Sequence, residues 1–165
     1  MSEKLVIVPR KITGKVKAIN IGLFAAMCVL LVAAIFVSAS IFFLPAMIVT
    51  VLWAWRNFYY NVEYEYTYYE TDVRIAKIIN KAKRKDLVEV NMEEVIMVAP
   101  KGDRSVYKYE NDKSAKYKNF TSGDKSVKVY ELIHKTSSGI CRYEFEPDEE
   151  MLQAMKIKYP HTVII

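Results

Sequence analysis

The pattern of hydrophobic and polar positions divides the chain near residue 60. Residues 18–55 include no Asp, Glu, Lys, Arg or His, which makes an uncharged stretch of 38 residues. A single helix of this length would extend about 57 Å at 1.5 Å per residue, whereas the hydrocarbon core of a bilayer is about 30 Å thick. The pattern therefore predicts a transmembrane hairpin over 18–58, with helices at about 16–37 and 41–58 that reverse at the small residues 38–40.

After residue 60 the hydrophobic positions follow a period of two, which is typical of strands. The first of these strands presents an aromatic face made by Tyr64, Tyr66 and Tyr68. Similar short runs predict further strands at 73–80, 86–91, 94–99, 127–134 and 140–146, the last two joined by a turn at Ser138 and Gly139. Because the strands follow one another closely, we expect a mainly antiparallel β domain over residues 61–165.

The last element is a helix predicted over 147–159. Pro147 occupies its first position, acidic residues follow, and Lys156 and Lys158 lie in the last turn. This order of charges is the one that the helix dipole favours. An apolar stripe at helical spacing should lie across the strands, and it consists of Met151, Leu152, Met155 and Tyr159.

Residues 101–126 have no clear period and are rich in Lys, Asp, Ser, Asn and Gly. One interpretation is a weak strand near 105–109, and the other is a mobile functional loop or an irregular sheet edge, because unstructured gaps of this length are unusual in compact domains. Basic and aromatic residues interleave in a cluster that can stack on single-stranded nucleic acid. It consists of Lys113, Lys116, Tyr117, Lys118 and Phe120. The domain is close to neutral, so we expect a solvated loop and no nucleic-acid partner.

The formal net charge of +5 is concentrated at the N-terminus, where residues 1–17 contain five basic residues and one acidic residue. We expect this segment to be a flexible, basic cytoplasmic tail. Arg56 follows the second helix and the loop between the helices has no basic residue, so the positive-inside rule places both termini in the cytoplasm. An aromatic belt should anchor the second helix at the membrane interface through Trp53, Trp55, Phe58, Tyr59 and Tyr60.

A secretory signal peptide is the main alternative for the first helix, since a basic segment precedes an apolar run. That run is about 20 residues long and a second one follows at once, and both features disfavour cleavage. The two cysteines, Cys28 and Cys141, share no spacing motif. We therefore expect no disulfide framework, in agreement with a domain on the reducing side of an inner membrane.

One cluster places five basic residues within nine positions at a predicted turn. In a domain tethered to a bilayer, such a cluster would meet anionic lipid head groups at high effective concentration. The alternative is a solvated turn whose charges protect a sheet edge from aggregation. The candidate lipid-binding residues are Lys77, Lys81, Lys83, Arg84 and Lys85.

Signatures of enzymes are missing from the sequence, which contains no P-loop, no Gly-rich dinucleotide turn and no serine elbow. His134 and His161 have no Cys or carboxylate at a spacing that would complete a metal site. The acidic residues at 146–150 are explained by the start of the last helix. We therefore expect a non-enzymatic protein with no catalytic residue, no metal site and no cofactor.

Four stretches, at residues 61–66, 78–85, 97–100 and 145–148, carry a resemblance to a known family. On these stretches the chain resembles an uncharacterised bacterial family that combines an N-terminal transmembrane hairpin with a cytoplasmic PH-like domain. The resemblance covers nearly the whole chain. It implies a PH-like barrel or split sheet with one C-terminal helix, and peptide binding either at a sheet edge or in the groove beside that helix.

These observations lead to the expectation of a membrane-anchored interaction module, presented at the cytoplasmic face of the bacterial membrane. One alternative is binding or sensing of anionic lipid through the turn at 77–85. Another is an accessory subunit of a transporter or envelope complex that is contacted through the hairpin. The expected partners are the lipid bilayer, anionic head groups and a membrane or cytoplasmic protein.

Overall fold

The computed structural model describes residues 3–165, apart from the side chains of Tyr59 and Tyr60. A short strand, β1 (Lys4–Pro9), precedes two long helices, α1 (Gly14–Phe36) and α2 (Ala39–Tyr60). By length and composition both helices are able to cross a membrane. Ala46 is the one residue of the two helices, where their side chains are described, that the rest of the protein buries. These helices are therefore not the core of a globular domain, and they indicate a membrane protein whose hairpin agrees with the prediction.

The rest of the chain forms two four-stranded sheets that face each other without closing into a barrel. The first sheet has the order β1-β2-β3-β4, with β2 at Val62–Tyr69, β3 at Asp72–Ile79 and β4 at Lys83–Asn91, all antiparallel. The second has the order β5-β7-β8-β6, with β5 at Val95–Pro100, β6 at Lys116–Asn119, β7 at Tyr130–Thr136 and β8 at Gly139–Phe145. Strand β6 is parallel to β8. This split sheet confirms the predicted fold class.

Three helical segments complete the domain. A 3-10 turn (Met92–Glu94) joins β4 to β5, and the short helix α3 (Tyr107–Glu110) follows β5. The C-terminal helix α4 (Glu149–Lys158) lies over the open side of the sheets. Its N-terminus is capped by Asp148, whose carboxylate accepts a hydrogen bond from the Met151 amide at 2.8 Å. The cap explains why the helix begins two residues after Pro147, the start that the sequence predicts.

The core between the sheets is built on the aromatic face of β2. Tyr64, Tyr66 and Tyr68 are all buried, as the alternation predicts. The Tyr66 ring meets Phe145 edge to face, with 5.7 Å between centroids, and its hydroxyl donates a hydrogen bond to the Phe120 carbonyl at 2.6 Å. Helix α4 closes this core with its buried side chains Met151, Leu152 and Met155.

The N-terminal segment is not a flexible tail, because residues 4–9 form the edge strand of the first sheet. Strand β1 pairs antiparallel with β2, from Lys4 opposite Tyr68 to Pro9 opposite Glu63. Its valines pack against the core, whereas Leu5 and Ile7 point outwards. The partner strand lies beyond the whole hairpin, so the local pattern of apolar residues does not reveal the pairing. Since β1 precedes α1 and β2 follows α2, both ends of the hairpin lie on the same side.

The predicted strand at 105–109 is wrong, since this segment contains α3 instead. Val106 is completely buried and packs against Ala99 and Ile133 on the outer face of the second sheet. Asp103 and Asp112 each accept hydrogen bonds from a serine two residues later, which organises the turns around α3 and lowers the pKa of both carboxyls. The segment is an irregular edge that packs on the sheet through Val106 and the partly buried Tyr109, two positions too few to produce a periodic pattern.

The turn of the last hairpin is displaced by one residue from its prediction. Thr136 pairs with Gly139, so Ser137 and Ser138 form the loop and Gly139 begins β8. Gly139 has a φ of 123°, a conformation that a side chain would disfavour. The glycine is thus needed at the first position of the strand, and two serines are sufficient for the loop.

Candidate functional site

One end of the β domain faces the helical hairpin, and hydrogen bonds fix its position. The Arg10 amide donates to the Val62 carbonyl at 2.9 Å, directly after the end of α2. The Asn80 amide donates to the Asn61 carbonyl at 2.7 Å, so the loop between β3 and β4 lies beside the same helix end. We call this region, residues 9–14, 61–62 and 79–83, the membrane-facing end of the domain.

The structure divides the basic cluster. Only Lys81 lies in the turn, which spans residues 80–82, because Asn80 and Lys81 adopt positive φ angles of 52° and 54° and reverse the chain there. Lys83, Arg84 and Lys85 are already in β4, contrary to the prediction of a turn. Lys85 lies opposite Lys77 in the register. Because side chains alternate along a strand, Lys77, Lys83 and Lys85 share one face of the sheet and Arg84 lies on the other.

Arg84 is neutralised by acidic neighbours. Its guanidinium lies 2.7 Å from the buried Glu65 carboxylate and 3.4 Å from Asp86. No such ion pair joins Lys77, Lys81, Lys83 or Lys85 to an acidic side chain within the part of the chain that the structure describes. The candidate lipid site is therefore four uncompensated lysines at or near the membrane-facing end, without Arg84.

The hairpin helices are joined at the same end by polar and aromatic contacts. Arg56 of α2 donates to the Asn20 side chain of α1 at 3.0 Å, and the Phe24 and Trp53 rings are 5.7 Å apart. Trp55 and Phe58 are exposed, as membrane anchors would be, and the side chains of Tyr59 and Tyr60 lie outside the described residues. The interfacial role of these aromatic residues stays a prediction.

A buried polar network lies under the segment that includes α3, and the sequence analysis missed it. Glu131 and Glu144 are opposite each other on β7 and β8, and both are buried. Lys101 lies 2.7 Å from Glu144, and Arg142 lies 3.6 Å from Glu131. Polar residues at alternating strand positions usually face solvent, so only the packing of residues 101–119 reveals that these are covered.

The network shifts the titration of its members. Burial raises the pKa of the Glu131 carboxyl to about 7, a shift that Arg142 and Lys101 oppose and that Glu110 and Glu144 reinforce. The hydrogen bond with Glu144 raises the pKa of the Lys101 ammonium above its ordinary value. Lys101 neutralises Glu144, whereas Arg142 is near Glu131, whose two oxygens accept no hydrogen bond from the residues that the structure describes. We interpret the arrangement as the attachment of the α3 segment to the sheet.

An apolar groove runs beside α4, where the resemblance to PH-like domains places a peptide site. It has a volume of about 540 Å³ and includes Val127, Tyr130, Leu152 and Ile165, with Gln153 at its exposed edge. Val127 and Ile165 are themselves 44% and 45% exposed. The groove therefore offers accessible apolar surface to a partner.

The side chains weighed for other chemistry have structural partners. His134 lies 3.1 Å from the Glu94 carboxylate, and Cys141 is buried in β8. Within residues 3–165, no three His, Cys, Asp or Glu side chains lie close enough to hold a metal ion. In the segment weighed for nucleic acid, Phe120 is buried and the Tyr117 ring is covered by the Arg142 guanidinium at 4.7 Å.

Comparison with known proteins agrees with this architecture. The family model described as Bacterial PH-like domain (DUF6106) matches residues 3–165. No curated protein and no solved structure matches the chain significantly. The matched region includes β1, both helices of the hairpin and both sheets. The chain therefore belongs to this family of bacterial PH-like domains.

Proposed function

We propose that this protein is a non-enzymatic, membrane-anchored interaction module that presents its PH-like domain at the cytoplasmic face of the bacterial membrane. The observation that supports this most strongly is the pairing of β1 with β2 across the hairpin. This pairing makes the two helices an insertion between neighbouring strands of one sheet. The domain is consequently held against the bilayer by two connections, which suits a protein that positions a binding surface at the membrane.

The groove beside α4 is the surface best suited to a protein partner. Its apolar lining and partial exposure fit an apolar peptide segment, since peptide grooves combine accessible hydrophobic surface with a rigid helix. The groove is open at Val127, which is exposed and lies outside the strands. A charge introduced there should weaken partner binding without disturbing the core.

Site-specific photo-crosslinking in cells tests this function. A photoreactive residue at Gln153, in the groove, should give a discrete protein adduct, whereas one at the exposed Lys113 should not. Val127→Asp should remove the Gln153 adduct. The same adducts from both positions, or none from Gln153, would contradict a partner site in the groove.

The orientation is tested separately by thiol labelling in a Cys28→Ala background. We expect a membrane-impermeant maleimide to label Ser38→Cys, in the loop between the helices, in intact cells with a permeable outer envelope. Ser138→Cys, at the last hairpin of the domain, should be labelled only after the membrane is opened. The reverse pattern would place the domain outside the cell and exclude a cytoplasmic module.

Anionic-lipid binding is the second candidate function, and the position of the basic hairpin favours it. The loop at 80–82 is hydrogen-bonded to the residue that follows α2, so Lys81 and the nearby strand lysines lie close to the helix end, where lipid phosphates would be concentrated. Lys77, Lys83 and Lys85 share one face and have no described acidic partner. Each such lysine near an anionic surface contributes about 1 kcal/mol at low salt.

A charge-matched pair of variants tests the lipid candidate in reconstituted vesicles that contain a photoreactive phosphatidylglycerol. Replacing Lys77, Lys81, Lys83 and Lys85 by glutamine should reduce lipid crosslinking several-fold at low salt. The control replaces the exposed Lys108, Lys113, Lys116 and Lys135, which removes the same charge elsewhere. Equal crosslinking of the two variants would exclude a lipid contact specific to the hairpin.

A further inference from the structure

The outer edge of β1 is a row of backbone groups with which no other described strand pairs. In an antiparallel pair, residues opposite each other alternate between pairs that exchange hydrogen bonds and pairs that do not. The Arg10 amide donates to the Val62 carbonyl, so the even-numbered residues of β1 are the ones that bond to β2. The N–H and C=O groups of Leu5 and Ile7 therefore point away from the sheet. Pro9 contributes a carbonyl to this edge but no N–H.

The fold closes this edge at its membrane-facing end. The next outward amide along the chain, that of Lys11, donates to the Ser122 carbonyl at 2.8 Å. Among the residues that the structure describes, no backbone hydrogen bond from another element reaches the Leu5 or Ile7 amide. The side chains of Leu5 and Ile7 are exposed as well. The bond at Lys11 thus begins a ladder that an additional strand would continue along β1.

An open cavity of about 410 Å³ lies beside the free part of this edge. Ile7 and Pro9 line one side of it, and Val127, which is exposed, contributes apolar surface on the other. Val127 also lines the groove beside α4, so the two spaces adjoin. An extended segment that reaches β1 therefore finds accessible space and apolar surface next to the free backbone groups.

The charges around the edge differ at its two ends. Arg10 lines the cavity, is exposed, and has no ion pair with an acidic side chain in the described part of the chain. At the other end of β1, Lys4 is already paired with Glu150 at 2.7 Å, and Glu149 is exposed beside that pair. A segment with a carboxylate at its membrane-facing end complements this arrangement, whereas a carboxylate at the other end would meet the acidic first turn of α4.

A second copy of the chain does not suit this edge. Strand β1 runs from α4 towards the hairpin, so two β1 strands paired antiparallel would direct their hairpins to opposite ends of the pair. Both hairpins have to enter the same membrane from the same side, which this arrangement opposes. The occupant that the edge fits is a segment of another protein.

We propose that the free edge of β1 binds an extended segment of another protein, which adds a fifth strand to the first sheet. The segment runs antiparallel to β1, the more stable pairing, with apolar side chains opposite Leu5 and Ile7 and a carboxylate beside Arg10. Backbone hydrogen bonds supply the affinity, and the alternate side chains supply the selectivity. The inference rests on the interaction role in the proposed function and adds a second surface to the groove beside α4.

The test measures binding of a labelled synthetic peptide to the full-length chain in detergent by fluorescence anisotropy. The peptide has a glutamate at its N-terminal end and then alternates valine and threonine. Residues that exchange hydrogen bonds across strands present their side chains on one face, so the valine amides face β1 when the valines lie beside Leu5 and Ile7. Methyl groups on the valine amides should weaken binding at least about tenfold, because several hydrogen bonds are lost.

The matched control has its methyl groups on the threonine amides, which point away from β1, and it should bind like the unmodified peptide. Equal affinity of the two methylated peptides would overturn the proposal. Failure of the unmodified peptide to bind at a concentration of about 1 mM would overturn it too.

Two variants of the protein test the same contacts from the other side. Ile7→Pro removes one outward donor and leaves the bonds to β2 in place, so it should weaken binding about three- to tenfold. Moving the glutamate of the peptide to its C-terminal end should weaken binding to the unaltered protein, and Arg10→Gln should abolish this difference. Unchanged binding to a folded Ile7→Pro protein would overturn the proposal, and the methylated peptides decide the case if that variant does not fold.

Two other outcomes separate this inference from its alternatives. A chain that is dimeric in detergent and becomes monomeric with Ile7→Pro would make a second copy the occupant and overturn the proposal. Gln153 lines the groove beside α4 and not the cavity at β1, so crosslinking from Gln153 reports on the groove alone. A discrete Gln153 adduct without peptide binding would contradict only this inference, whereas peptide binding without that adduct would contradict only the partner site in the groove.

Discussion

Strand β1 should be an integral part of the PH-like domain, and the alternation of its side chains provides a test. Val6 and Val8 are partly buried against the core, whereas Leu5 and Ile7 are 52% and 49% exposed on the other face. Val6→Lys with Val8→Lys places two ammonium groups against the core. The matched control, Leu5→Lys with Ile7→Lys, adds the same charge to the same strand, but on its outer face.

The inward variant loses apolar burial and places charge in the core. Each partly buried valine contributes about 1 kcal/mol through its apolar area, and desolvation of the two introduced charges adds to the loss. We expect the inward variant to lower the free energy of unfolding by about 3–5 kcal/mol, a large fraction of the roughly 5–15 kcal/mol of a typical domain. The outward variant should change it by about 1 kcal/mol or less, because surface lysines remain hydrated.

Labelling of the buried Cys141 thiol measures this difference in the full-length chain in detergent. In a Cys28→Ala background, Cys141 on β8 reacts with a maleimide only when the domain opens. A loss of 3 kcal/mol should accelerate labelling roughly 150-fold under conditions where opening is at equilibrium, since 1.4 kcal/mol corresponds to a factor of ten. Equal labelling rates for the inward and outward variants would refute the assignment of β1 to the core.

Two further predictions concern the buried Glu131 of β7 and Asp148, which caps α4. Burial raises the pKa of Glu131 from 4.5 to about 7, so the folded state holds this proton more tightly than the unfolded state does. The contribution of Glu131 to the free energy of unfolding is therefore greatest below pH 4.5, and it falls by up to about 3 kcal/mol as the pH rises from 4.5 through 7. In urea titrations at pH 5 and pH 8, Glu131→Gln should lose this dependence, and an unchanged pH dependence would contradict the assignment. Asp148→Ala removes the cap of α4 and should destabilise the domain by about 1 kcal/mol, whereas Glu149→Ala, one residue later and without a capping bond, should change the urea midpoint much less.

The pairing of β1 also affects how the domain can be studied. A fragment that begins at residue 61 lacks the strand that covers the edge of β2, and exposed strand edges promote association between chains. The domain is contiguous in space but not in sequence. Experiments on its binding should therefore use the full-length chain, or join residues 3–10 to the later strands by a linker.

The sequence by itself determined the features that depend on local periodicity and solvent preference. Thirty-eight uncharged positions predict two membrane crossings, and the alternating tyrosines of β2 predict an aromatic core face, because burial along one helix or strand leaves a repeat that can be read directly. The apolar stripe and the terminal charges likewise predicted the C-terminal helix. Its start was displaced because a capping bond from Asp148, and not the position of Pro147, sets the first turn.

Only the tertiary structure decided which distant segments meet. The partner of β1 lies beyond the hairpin, the strand alternation separates Arg84 from the neighbouring lysines, and Glu131 and Glu146 are buried by segments far from them in the chain. A pairwise contact across 50 residues leaves no periodic signal in either segment, since each residue's pattern reflects its own exposure and not the identity of its neighbour. The burial of Glu146 is a property of that packing alone, and it appears only once the chain is folded.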